Sequence, residues 1–240
     1  MGTATVATLA TAAANTSVLE DTERAFLPRI IEFYRPGAEL VVDLTWGGGR
    51  WWTGSEYRVV GLDRYSPSPH ARADWSAVPI RAGCVDVVVY DPPHASEGGK
   101  SGQLQRQYTT TPTENHGDTV WPALAEIRRI VKPDGIVLVK IADQVARGRF
   151  QWQMVELVNR VRDYGLTACD CLVKVRKHPM FGGKVTGAVR RSHIAKRHCY
   201  WIVLRPGPSC YPPNAQTGWS RAAAKLVVRQ QTSGCGIWRP

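Results

Sequence analysis

Leu40-Val41-Val42-Asp43-Leu44-Thr45-Trp46-Gly47-Gly48-Gly49-Arg50 starts as a short apolar run and breaks into three consecutive glycines. The run before Trp46 reads as a buried strand, because it is short, aliphatic and bounded by a turn signal. Glycine has no Cβ, so the backbone can bend sharply there and come close to a ligand. In open α/β sheets, a glycine turn between a strand and a helix is where nucleotide-like cofactors bind. Three glycines alone can equally be a flexible turn. A second strand-like run, Tyr57-Arg58-Val59-Val60-Gly61-Leu62, follows and ends on Asp63. An acid about 20 residues beyond a glycine turn is placed to accept ribose hydroxyls.

A third apolar run, Val85-Asp86-Val87-Val88-Val89-Tyr90, closes on Asp91-Pro92-Pro93-His94. The Asp91 carboxylate and the Pro92 carbonyl can both accept hydrogen bonds and donate none. Pro93 holds the residue before it extended, which can turn the Pro92 carbonyl outward into a cleft. His94 offers a flat face for stacking. Such a group suits the exocyclic amine of a planar base. Pro-Pro also ends strands and Asp starts turns, so the tetrapeptide by itself admits both readings.

Coarse patterning supports alternating helices and strands. A helix is expected over 21–34, with strands over 40–44 and 57–62, a short one near Asp74, and another over 85–90. A helix over 119–131 ends at the turn-forming cluster Lys132-Pro133-Asp134-Gly135, ahead of a strand over 136–141. Met154, Leu157, Val158 and Val161 fall at helical spacing within 152–164. Strands over 166–174 and 199–204 would close the sheet as an antiparallel edge hairpin. The expected fold is α/β, with a seven-stranded, mostly parallel sheet and helices on both faces.

In these motifs the chain resembles the class I, S-adenosylmethionine-dependent amino methyltransferases of DNA. That family carries its cofactor motif on the first strand and glycine loop, matched by Asp43 to Gly49. Its (Asp/Asn/Ser)-Pro-Pro-(aromatic) motif ends the fourth strand, matched by Asp91 to His94, although His stands where Tyr, Phe or Trp is commoner. Segments 131–140, 174–177 and 198–203 also resemble small phage and bacterial members. The resemblance implies S-adenosylmethionine as cofactor, held by Asp43, Thr45, Gly47, Gly48, Gly49, Asp63 and Asp74, with Trp75 packing on adenine or serving as core. It implies catalysis by Asp91, Pro92, Pro93 and His94 on a base flipped from DNA, leaning toward adenine N6 over cytosine N4. Two rivals stay open: an RNA methyltransferase (guanine N2 or adenine), and a binding protein that keeps the fold without transfer.

Charge points to an acidic polymer as partner. The chain carries a net charge of +11, and 171–240 hold thirteen Lys and Arg with no Asp or Glu. The first 170 residues are close to neutral by comparison. A basic block of that length suits phosphate contact better than an ordinary solvated face. Lys177, Lys184, Arg190, Arg191, Lys196 and Arg197 lie between the last two strands and are the candidate nucleic-acid contacts. Organisation is read as a flexible tail (1–20), a methyltransferase domain (21–205) and a basic extension (206–240). The loop after the tetrapeptide, 95–118, is long enough to be a lid. No stretch is apolar enough to span a bilayer, and the six cysteines form no Cys-x-x-Cys pair, so a cytoplasmic protein without a metal centre is expected.

Overall fold

A computed structural model of the chain describes residues 16–92, 116–146, 149–177 and 196–207. Its strands are β1 (Val18–Leu19), β2 (Leu40–Asp43), β3 (Arg58–Asp63), β4 (Ala71–Arg72), β5 (Val85–Tyr90), β6 (Val131–Ile141), β7 (Gln144–Ala146), β8 (Arg149–Gln151), β9 (Leu166–Val175) and β10 (His198–Pro206). The helices are α1 (Glu23–Tyr34), α2 (His116–Ile130) and α3 (Gln153–Arg160). One sheet runs β1-β9-β10-β6-β5-β2-β3-β4, and β7 pairs with β8 in a second, two-stranded sheet. Every pairing in the large sheet is parallel except the two made by β10. This is the class I methyltransferase arrangement expected of the sequence, with β1 added outside β9 as an eighth strand.

β2 and β5 are buried from end to end, as apolar strands covered on both faces must be. On one face lie Phe26, Leu27, Ile30 and Ile31 of α1, with Trp52, against Val41, Val87, Val89 and Leu138. On the other, Leu124 and Ile127 of α2 and Leu157 of α3 cover Val42, Val88 and Val137. Helices therefore do cover both faces.

After the glycine turn stands a single 3₁₀ turn, Arg50–Trp52, whose Trp52 packs with α1 on that face. Two differences from the expected elements have physical causes. β6 begins at Val131, ahead of the Lys-Pro-Asp-Gly cluster. The pairing jumps from Val85↔Val131 to Val87↔Ile136, so the cluster bulges out of a ladder that resumes beyond it. The bulge is pinned by Asp86, which meets Lys132 Nζ at 2.7 Å and accepts from the Leu40 amide at 3.0 Å. The β7–β8 hairpin has no counterpart among the expected elements, since its strands of three residues are too short to show alternation.

Candidate active site

β2 pairs with β3 on one side and β5 on the other, and all three run parallel. The chain leaves β2 outward in both directions, so β2 and β5 flank the point where strand order reverses. Ligands of open α/β sheets sit in the crevice beyond the carboxyl ends at such a point. Asp43 ends β2 and Asp91 follows the last residue of β5. Thr45 joins them: its hydroxyl lies 3.3 Å from Asp43 Oδ1 and accepts from the Asp91 amide at 2.8 Å. A hydroxyl can donate once while accepting, so one side chain fixes both strand ends. The expected cofactor loop and the Asp91-Pro92 end of the tetrapeptide therefore share one rim.

Asp43 is fully buried. Its Oδ1 also accepts from the Thr45 amide at 2.9 Å, and Oδ2 from Trp52 Nε1 at 2.8 Å. Burial pushes its carboxyl up to about 6, and the charge of Asp91 adds to that, against the opposing pull of the Trp52 and Thr45 hydrogen bonds.

A residue that sequence reasoning did not single out dominates the electrostatics. Lys140, next to last in β6, is 5% exposed, and its Nζ lies 3.1 Å from Asp91 Oδ2 and 3.1 Å from Glu23 Oε1 in the first turn of α1. The ammonium also sits 4.7 Å from the Trp51 ring centroid and 5.7 Å from that of Trp201, which stands opposite Lys140 in the β10–β6 register. Burial alone would lower the lysine pKa; the Asp91 and Glu23 carboxylates outweigh it and hold it above its usual value. One signal was there to be read. Ile136-Val137-Leu138-Val139-Lys140-Ile141 places a charge inside a buried strand, where it must be paired.

The glycine turn is only partly open. A Cβ on Gly48 would meet nothing within 4 Å, and one on Gly47, at φ +58°, would lie 3.9 Å from the Thr45 carbonyl. Gly49 is different, since its Cβ would fall 2.2 Å from the Trp46 ring, and a Cβ on Gly61 of β3 would fall 2.1 Å from the same indole. Trp46 lies close against both glycines, with its Nε1 donating to the Ser68 carbonyl at 3.1 Å. The space over Gly49 thus holds an indole, and close approach of a ligand is left to Gly47 and Gly48. Two substitutions separate these roles. Gly61→Ala is expected to cost about 1–3 kcal/mol through overpacking. Gly48→Ala should leave urea unfolding within about 0.5 kcal/mol of the parent while weakening whatever ligand the turn receives.

Asp63 is heavily engaged. Oδ2 accepts from the Gly47 amide at 2.8 Å, and Oδ1 from the Tyr65 and Ser66 amides at 2.7 and 2.8 Å. A carboxylate oxygen accepts about two hydrogen bonds, so Oδ2 retains capacity for one hydroxyl. Asp74 lies beyond β4, where Oδ2 pairs with Arg64 at 2.9 Å and Oδ1 accepts from the Ser76 amide and hydroxyl. Trp75 packs half-buried against the core, with its ring 6.1 Å from Tyr90.

The basic candidates sit elsewhere on the carboxyl edge. Lys177 follows β9, while Lys196 and Arg197 precede β10, and mutual Arg176–Arg197 bonds tie the hairpin ends together. Pro93, His94, Lys184, Arg190, Arg191 and the tail 208–240 lie outside the described residues, as does most of the expected lid. Among the described residues no group of His, Cys, Asp and Glu could hold a metal ion, and no helix is long and apolar enough to cross a membrane.

No protein-family model matches the chain, and no curated protein matches it in sequence. Solved structures do match it. A candidate DNA modification methylase from Thermus thermophilus, complexed with S-adenosyl-L-methionine, is 21% identical over 54% of this chain and 50% of its own, with a TM-score of 0.36. The chain therefore spans about half the length of that protein. The 1,6-didemethyltoxoflavin-N1-methyltransferase of Burkholderia thailandensis is 14% identical over 78% of this chain and 79% of its own, with a TM-score of 0.49. A SAM-dependent methyltransferase from Methanosarcina mazei is 13% identical over 75% of this chain and 98% of its own, at 0.47. Superpositions this loose say nothing of substrate. The functional reading rests on the residues at the rim.

Proposed function

We propose that this protein is an S-adenosylmethionine-dependent methyltransferase that modifies an exocyclic amino group of a nucleobase in DNA, with adenine N6 as the preferred target. One observation carries the reading. The Thr45 hydroxyl ties the acid before the glycine turn to the backbone of Asp91, so a donor seated on the turn and an amine held by Asp91 would face one crevice.

The residues present fit the cofactor. Gly47 and Gly48 leave the backbone open, and Asp63 keeps one acceptor position for a ribose hydroxyl. Asp43 and Asp91, linked through Thr45, place carboxylates beside the turn, a setting that favours a cationic ligand. When bound, S-adenosylmethionine supplies a methyl group on a positively charged sulfur. An aromatic amine is a poor nucleophile because its lone pair is delocalised into the ring. Asp91 and the Pro92 carbonyl would accept its two hydrogens and favour a more tetrahedral nitrogen, an interaction that strengthens toward the transition state. Transfer would join that methyl carbon to the nitrogen pair, leave the S–C pair on sulfur and release one N–H proton. Lys140 lowers the basicity of Asp91, which suits an acceptor better than a final base, so that proton passes to water. Flipping the base costs a few kcal/mol, which stacking on His94 and the basic C-terminal block would offset.

Incubation with labelled cofactor and unmethylated duplex DNA, tRNA or rRNA, followed by nucleoside mass spectrometry, tests the proposal. Methyladenine from DNA is the expected product. Methylguanine from RNA would move the substrate to the rival class, and absence of any methylated nucleoside would sink the reading. Cofactor binding should also depend on pH. The folded protein holds the Asp43 proton up to about pH 6. A cation seated nearby would pull that pKa down, so binding near pH 6 should release a proton and affinity should fall below it. Calorimetry in buffers of different ionisation enthalpy reads both effects, and Asp43→Asn should remove them.

A further inference from the structure

The β7–β8 hairpin leaves β6 three residues after Ile141, on the edge that carries Asp91, and is followed by an exposed indole, Trp152. Trp152 is 64% exposed, the most exposed large hydrophobic side chain among the described residues. Its ring lies 4.6 Å from that of Phe150, at 71°. It does not cap α3 through its side chain; the Met154 amide there is satisfied by Asp143 at 3.0 Å. Leaving an indole in water is unfavourable unless something covers it.

The surroundings say what kind of partner fits. Lys196 Nζ stands 4.8 Å from the Phe150 centroid, and Arg149, Lys177 and Arg197 are exposed. An exposed indole with a cation beside its neighbouring ring suits single-stranded nucleic acid, in which bases stack on aromatic faces while the backbone tracks positive charge.

We infer that Trp152 and Phe150, with Lys196 beside them, form a stacking platform for an unpaired nucleobase next to the one presented to Asp91. The inference rests on the nucleic-acid partner of the proposed function but not on methyl transfer. A base turned out of a duplex leaves its neighbour unstacked, and this platform would receive that neighbour.

Equilibrium binding of fluorescein-labelled twelve-nucleotide single strands, as DNA and as RNA, and of the matching duplex tests it with the full chain and no cofactor. Trp152→Ala is expected to weaken single-strand binding about 5- to 100-fold, while Trp152→Phe stays within about threefold. The salt dependence of Trp152→Ala should match wild type, whereas Lys196→Ala should lower the log–log slope by about 0.7. Duplex binding should change little in Trp152→Ala, and the DNA and RNA arms decide which strand is favoured. The platform is overturned if Trp152→Ala binds single strands within twofold of wild type, or if Trp152→Phe loses as much as Ala. It is equally overturned if wild type binds no oligonucleotide. A Trp152→Ala chain that binds normally but changes its sedimentation would assign the pair to a second copy of the chain instead. Absent methyl transfer alongside a clear Trp152→Ala binding defect would count against the proposed activity and leave the platform standing.

Discussion

Asp91→Ala is expected to reduce methyl transfer about 10²- to 10³-fold or more while cofactor affinity changes only a few-fold. The substitution removes an acceptor for the amine hydrogens and leaves Asp43, Gly47, Gly48 and Asp63 in place. Folding should survive, because Lys140 keeps Glu23 at 3.1 Å. Asp91→Asn gives the sharper result. Lys140 can only donate, so it will claim the amide oxygen and turn the NH₂ group toward the target amine. A donor would then face a donor. Asn is accepted at this motif position in the family the chain resembles, yet here it should be nearly as inactive as Ala. Initial rates at saturating cofactor, with calorimetric affinity for the cofactor, check both variants. Turnover near wild type in Asp91→Ala would discard the acceptor role.

How much of this could be read from residues differs by level. Strand positions were legible because β2, β5 and the core of β6 are continuous aliphatic runs, and burial of both faces leaves such runs few alternatives. The shared rim was legible through spacing, since an acid before a glycine turn and an acid after a later strand fall on the same edge of a parallel sheet. The polar wiring was not. Nothing local marks Thr45 as the bridge between Asp43 and Asp91, because the contact spans 46 residues and exists only once β2 and β5 pair. Gly49 and Gly61 read as ligand clearance and plain strand residue, yet both make room for Trp46, a role that depends on which ring lands on them.

Lys140→Met is expected to destabilise the protein by about 3–5 kcal/mol, the usual cost of removing one partner from a buried ion cluster. Two carboxylates, Asp91 and Glu23, would then lose the ammonium that stands 3.1 Å from each of them beside Trp51 and Trp201. Loss of packing is a poor explanation for such an effect, because methionine keeps most of the lysine stem's volume. The decisive control is therefore charge. Adding Glu23→Gln to Lys140→Met removes one of the stranded anions and should recover part of the loss in urea unfolding, whereas a packing defect would not be repaired. Activity should respond with a sign of its own. The Lys140 ammonium favours the ionised form of Asp91, so its removal raises the Asp91 pKa, and the acid limb of the transfer rate should move to higher pH. A structural role alone would lower the rate equally at every pH. An unshifted acid limb in a folded Lys140→Met chain would show that the lysine holds the strands together without governing the charge of the acceptor.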